Sequence, residues 1–416
     1  MWSYLKKKGF KLPKITAKQI SKQVEPVLRA MESTGIKVDL KVFGGLTKKL
    51  EKRVGVLKSE ILELAGFDFN ISSPLQMQEV LFEKLKLPTT DLKRTKSGIS
   101  TAAAELKKIE SKHKIIPLVL EYRELSKLLS TYLKPLPAMV DKKSRLHTTY
   151  GQDTTTSRLT SSDPNLQNIP IKGKYGPEIR KAFVADKGNK LVVADYSQIE
   201  LRVVACLADD YVMQEAFSKG EDIHAKTASE LFNIDIKKVN KAQRSLAKTV
   251  NFGVLYGMSP YGLSQALSIS QRDAAEYIMK YFSVHGGIKD YCTRMIEAAK
   301  SEGEVETLFG YKRELLSIHS KNNNAREADE RIAINTPVQG TAAEIIKLAM
   351  IALNKKLTKK QGRMLLTVHD ELVVETPTKE AKKVAKIVKD TMENVVKLCV
   401  PIEVEVGIGK NWEECK

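Results

Sequence analysis

The stretch LLTVHDELVVET, from Leu365 to Thr376, sets two adjacent acids between two apolar runs. Leu365, Leu366 and Val368 precede His369, Asp370 and Glu371, and Leu372, Val373 and Val374 follow them. The pattern reads as strand, tight turn, strand, although the hinge lacks the Asn-Gly or Asp-Gly pair of the usual two-residue hairpin. A second apolar run, KLVVAD, also ends on a carboxylate, Asp195. One such Asp is most often a helix cap. Two of them at the ends of buried strands constrain the chain further, because an unpaired carboxylate is costly to bury. A divalent cation removes that cost, and Mg²⁺ is typically held by one or two carboxylates plus substrate phosphates. Spacing alone does not say that the two strands are neighbours.

The charge balance narrows the partners. Sixty-nine Lys and Arg oppose 50 Asp and Glu, a formal net charge of +19. The first 50 residues hold 12 Lys/Arg against 3 Asp/Glu, so +9 of that excess lies there. Such a balance favours a polyanion partner, nucleic acid or an anionic membrane surface; a merely soluble basic surface is the plainer alternative. A hydrophobic fraction of 42% argues against disorder. No apolar run approaches the ~18 residues of a membrane span, and the N-terminus lacks a secretory apolar segment. Cys206, Cys292, Cys399 and Cys415 are scattered without metal-ligand spacing, and they read as reduced thiols in a cytosol-like compartment.

Residues 1–14 read as a basic tail. From Ile15 to about Leu136 apolar residues recur at helical spacing, with Gly66 a helix stop and NISSPLQ a helix start. Near Lys142 the composition turns to loop and strand. Residues 211–300 and 331–356 return to helix, and CVPIEVEVGIGKNW alternates like a strand. The class is α+β. In QRSLAKTVNFGVLYG, Arg244, Lys248, Phe252 and Tyr256 recur every four residues along a face roughly 18 Å long. Cations at one end and rings at the other suit a nucleotide, its triphosphate and its base; an ordinary amphipathic helix fits the same pattern. Arg331, Asn335 and Gln339 repeat the four-residue step, and amides there can reach minor-groove acceptors shared by all base pairs; a solvated helix is the plainer alternative. Pro337 should kink that helix.

Together these segments resemble the DNA polymerase I family (family A). VVADYSQIELR is similar to its motif A, RSLAKTVNFGVLYG to motif B and TVHDELVVE to motif C, while TSRLTSSDPNLQNIP and RIAINTPVQGTAAEIIK are similar to two further family segments, all in family order. The resemblance implies a right-hand fold: thumb at 15–140, palm at 141–210 and 326–416, fingers at 211–325. It implies template-directed addition of deoxynucleotides to a primer 3′ end by a monomer, with two Mg²⁺ ions for which Mn²⁺ substitutes. By position, Asp195, Asp370 and the Tyr196 carbonyl bind metal, and Glu371 supports them. Arg244 and Lys248 grip the triphosphate, with Lys248 the proton donor to pyrophosphate. His224 contacts the triphosphate, Gln198 lies near the nucleotide, and Tyr256 packs by the templating position. Glu200 is the steric gate against a 2′-OH, and Phe252 is the ring beside the sugar. Arg158, Arg331, Asn335, Gln339 and Lys172 contact primer-template, the last where the family often has Arg, and His369 touches the primer terminus.

Only about 15 residues precede the thumb, so neither a 3′–5′ exonuclease nor a 5′-nuclease domain is expected within the 416 residues; a separate exonuclease or processivity partner stays open. A role in replication or repair in a bacterial or virus-encoded cytoplasmic setting is expected. The rivals are a single-subunit RNA polymerase, which Glu200 argues against, a decayed nucleic-acid-binding protein, which the intact Asp195, Asp370 and Lys248 argue against, and a reverse transcriptase.

Overall fold

A computed structural model of the chain describes residues 12–416; the basic tail read at 1–14 lies, up to residue 11, outside them. The chain divides into two compact units. The first holds residues up to 35, 147–167 and 185–416, and the second holds 36–146 and 168–184.

The first unit is built on a four-stranded antiparallel sheet. In chain order its main elements are helix α1 (Ala17–Thr34), strand β1 (Asn189–Tyr196), helices α2 (Ile199–Leu207), α3 (Ile223–Phe232), α4 (Lys241–Leu255) and α5 (Asn323–Lys356), strands β2 (Arg363–Val368) and β3 (Glu371–Pro377), helix α6 (Ala381–Asn394) and strand β4 (Val404–Gly409). The strand order is β2-β3-β1-β4. Leu191 to Ala194 are all buried, as a strand covered on both faces requires. Alternation sends Val192, Ala194 and Tyr196 to one face, where they meet Val384, Val388 and Met392 of α6. The Tyr196 hydroxyl donates to the Met392 carbonyl at 2.9 Å. Asp195 therefore faces the opposite way.

Several expectations change. The sequence SQIELRVVACLA suggests an amphipathic helix after β1, but every residue from Ile199 to Leu207 except Glu200 is buried. Helix α5 starts well before residue 331, capped by Asn322, and runs through Pro337. The cysteines are not all free thiols. Cys206 and Cys399 form a disulfide across 193 residues, leaving Cys292 and Cys415 free. No local spacing could reveal that pair, because the fold creates it. One turn before Cys206, Arg202 donates to the Pro401 carbonyl (2.6 Å) and to Glu403 (2.8 Å), so α2 is clamped to the segment leading into β4.

The second unit has its own core, around Ile61, Met77, Leu106, Ile115 and Val119. Its longest helix, Leu40–Ala65, is capped by Asp39 and ends at Gly66 in the left-handed conformation (φ 80°), the helix stop expected there. Ser73 caps the Pro74–Gln78 helix as the capping cluster implied.

A buried ion cluster ties the helical part of the first unit together. His285 Nδ1 lies 3.0 Å from Asp210 Oδ1, its Nε2 lies 3.4 Å from Glu230 Oε2, and its ring stacks 4.5 Å from Tyr281. Burial alone pulls the imidazolium down, but the Asp210 and Glu230 carboxylates outweigh it and hold it up at about 9. Raised above its ordinary value, this group stabilises the fold fully below about pH 6.5, and the contribution is lost as pH rises through about 9. H285N should therefore lower the free energy of urea unfolding by about 3 kcal/mol at pH 6 and by clearly less at pH 10.

Candidate active site

The turn between β2 and β3 consists of His369 and Asp370. His369 takes the left-handed conformation (φ 56°), which supplies the reversal that Asn-Gly would otherwise give. β3 then pairs with β1 so that Glu371 lies directly opposite Asp195. On the other side of β1, Glu405 of β4 is also opposite Asp195. The Asp370 carbonyl accepts from the Tyr196 N–H at 3.3 Å, which sets Asp370 beside the same strand end. The neighbouring-strand question left open by spacing is thus resolved.

These acids differ in environment. Glu371 is buried and engaged by the Trp412 indole N–H and the Lys416 ammonium, both at 2.6 Å. Asp195 Oδ1 is buried with no hydrogen-bond partner among the described residues. Burial first, then the charges of Asp370 and Glu371, push the Asp195 carboxyl up to about 7. Asp370 is also raised, mainly by burial. An orphaned oxygen flanked by carboxylates is a donor set suited to a hard divalent cation. Among the described residues no group of three or more His, Cys, Asp or Glu is placed to hold a metal ion.

Beside the turn is a pocket of about 130 Å³ lined by Arg158, Glu200, Gln339, His369 and Asp370, drawn from four separate segments. Arg158 and the Tyr256 hydroxyl both bond the Glu200 carboxylate, and burial and the Glu200 charge raise the Tyr256 hydroxyl. From Tyr256 a row of rings runs to Phe252 on α4 (6.0 Å) and then to His224 on α3 (5.8 Å). His224 is buried and pulled down to about 4, chiefly by burial, so it is neutral. Its Nδ1 lies 3.1 Å from the Asn251 amide, and its Nε2 has no hydrogen-bond partner among the described residues. Arg244 bonds Asp222 at 2.6 Å; that carboxylate also caps the helix carrying His224. Lys248 is exposed and close enough to help depress His224.

Other candidates occupy distinct positions. Arg331 packs its stem against Gly257, next to Tyr256; a Cβ there would lie 2.9 Å from Arg331 Cγ, and Gly257 also needs its positive φ of 66°. Asn335 Oδ1 is buried and unbonded among the described residues. Gln198 sits in the left-handed conformation at the start of α2. The Tyr196 side chain points away, toward α6, so only its backbone is on offer. Lys172 is exposed and belongs to the second unit. Sequence reading missed Arg202, Trp412 and Lys416. Arg202 stood in the quoted SQIELR segment, yet nothing in the pattern marks a buried arginine.

A sheet whose central strand ends in clustered acids lies in the same unit as a helix that carries cations and rings. The comparisons make this specific. The model of DNA polymerase family A matches residues 40–414. The chain is 47% identical over 400 residues to DNA polymerase I of Deinococcus radiodurans, covering 96% of this chain and 42% of that protein. It is 44% identical over 401 residues to thermostable DNA polymerase I of Thermus aquaticus, covering 96% and 48%. The polymerase domain of Pol1 from M. smegmatis, solved in complex with DNA primer-template and dNTP, superposes with a TM-score of 0.91 at 38% identity, covering 95% of this chain and 70% of that one. The chain belongs to DNA polymerase family A and has its polymerase-domain fold. It spans just under half the length of the two curated relatives.

Without metal, Asp195 should weaken the fold. Its pKa of about 7, above the ordinary 3.8, means that the fold disfavours the charged form: stability is full below about pH 3.8 and falls as pH rises toward 7. In EDTA, D195N should raise the free energy of unfolding at pH 8 by about 1–3 kcal/mol and change it little at pH 4, read by urea titration.

Proposed function

We propose that the chain is a template-directed DNA polymerase that adds deoxynucleotides to a primer 3′ end. The observation that carries this reading is the pocket in which Arg158, Glu200, Gln339, His369 and Asp370 meet, beside the orphaned Asp195. Asp195, Asp370 and the Tyr196 carbonyl would hold two divalent ions, Mg²⁺ or Mn²⁺. Ions held by these residues would supply charge neutralisation for the phosphates and for the attacking and leaving oxygens.

The chain's own residues do the rest. Arg244 and Lys248, one turn apart on α4, bind the triphosphate, and Lys248 carries the proton to pyrophosphate. Arg244 must first exchange Asp222 for a phosphate. Neutral His224 offers a hydrogen bond to the same group. Phe252 and Tyr256 flank sugar and templating base. Glu200 closes the space under the sugar C2′, which favours dNTPs over rNTPs and disfavours the RNA-polymerase reading. Arg158, Arg331, Asn335 and Gln339 read the minor groove, His369 the primer end, and Lys172 the duplex backbone. Glu371 positions the acid row through Trp412 and Lys416. Residues 15–140 serve as thumb, 141–210 and 326–416 as palm and 211–325 as fingers, working as a monomer on primer-template DNA in replication or repair. The 416 residues extend primers without shortening mismatched ends, in a cytoplasmic setting.

Primer extension on DNA and RNA templates, with dNTPs or rNTPs, tests this directly. Extension should need a DNA template, dNTPs and divalent metal. D370A should lose at least ~10³-fold in rate, whereas E371A should lose about tenfold. Equal losses, or D370A extending normally, would count against the assignment. F252Y should raise dideoxynucleotide incorporation; equal termination by both proteins would sink that role.

A further inference from the structure

Glu344 and Lys347 are buried ionisable groups that the proposed chemistry does not use. They lie one turn apart on α5, with 0% and 1% exposure. Burial pushes Glu344 up to about 7 and Lys347 down to about 8, so their mutual attraction does not fully offset desolvation. Replacing such a pair with apolar side chains is often neutral or stabilising, so stability alone does not explain it.

The surroundings of Glu344 point to a task. Its Oε1 accepts from the Thr307 hydroxyl at 3.0 Å, while Oε2 is buried without a hydrogen-bond partner among the described residues. The Ser157 hydroxyl lies near enough to help hold the carboxyl down. Ser157 is itself buried and left-handed (φ 56°), and the next residue is Arg158. The loop carrying Arg158 joins two paired strands, Thr149–Gly151 and Thr160–Ser162, and is held further by its own contacts. The Thr154 hydroxyl donates to the Arg158 carbonyl (2.6 Å), and the Tyr311 hydroxyl donates to the Thr154 carbonyl (2.8 Å). Thr307 in turn accepts from the Tyr311 N–H (3.0 Å), which closes a ring of contacts on Glu344. Packing here is tight: a Cβ on Gly340 would lie 2.4 Å from Thr307 Cγ2. Above this ring, the Arg158 guanidinium reaches Glu200 in the pocket.

We propose that Glu344 is a positioning residue that fixes the Thr154–Arg158 loop from beneath, through Thr307 and Ser157, and so sets the guanidinium of Arg158 at the pocket where primer end and nucleotide meet. The inference rests on the polymerase reading of that pocket. Glu344 touches no substrate and acts only through Arg158.

The test compares E344L, E344Q, R158A and the E344L/R158A double variant, each checked for folding by thermal melting. E344L, which leaves Lys347 buried without its carboxylate, should melt below the parent yet stay folded at the assay temperature, and should lose about tenfold in kcat/KM for single-nucleotide extension, within what a small misplacement costs. E344Q, which still accepts from Thr307, should recover most of the loss. In the R158A background E344L should change kcat/KM by less than about twofold, since the two act on one contact. An E344L protein as active as the parent overturns the proposal, as does a loss that multiplies in full with that of R158A. If E344L does not fold, T307V, which removes the hydroxyl holding the carboxylate, is read in the same way. Primer-template affinity is measured by fluorescence anisotropy on the same proteins. A parent chain that binds but does not extend refutes the polymerase reading and leaves this proposal to stand or fall on the binding cycle. One that neither binds nor extends refutes both.

Discussion

Three carboxylates lie in register across three hydrogen-bonded strands: Glu371, Asp195 and Glu405. Like charges directly opposite one another weaken a sheet, and Asp370 adds a fourth acid at the strand end. The structure neutralises only one side of this row. Trp412 and Lys416 close over Glu371, while Asp195 keeps a buried oxygen with no partner among the described residues. Much of what surrounds the sheet either holds this arrangement rigid or faces it. Tyr196 locks the strand onto α6, and Arg202 and the Cys206–Cys399 bond lock the following helix onto the segment entering β4.

Opposite the acids, the helical part of the first unit gathers positive charge and rings. Arg244 and Lys248 lie on one helix with Phe252, and Tyr256 ends it at Glu200. Several of these groups are held by partners that a ligand must displace: Arg244 by Asp222, and Arg158 and Tyr256 by Glu200. The side chains of the site thus hold one another, opposite charge to opposite charge. The His285 cluster lies deeper among the same helices and fixes how they pack.

Much of this was legible in the sequence, for identifiable reasons. Apolar runs that end in Asp195 and Asp370 mark strand ends, and the four-residue step from Arg244 to Tyr256 marks one helix face. Both patterns are local, and local spacing is what a sequence displays. The pairing of Asp195 with Glu371 was not legible, because it depends on which strands the fold makes neighbours. The Cys206–Cys399 bond, the Arg202 clamp and the caps supplied by Trp412 and Lys416 were hidden for the same reason: each joins residues that chain order keeps far apart.

The central claim is that the imbalance around Asp195 and Asp370 is resolved by divalent cations. The most direct measurement is the thermal midpoint at pH 8 as a function of added Mn²⁺ or Mg²⁺, for the parent chain and for the D195N/D370N variant. Ligand that binds only the native state raises the midpoint as its concentration passes Kd. The account predicts a metal-dependent rise for the parent and a flat response for the variant. An equal rise in both, or none in the parent at millimolar metal, would contradict it.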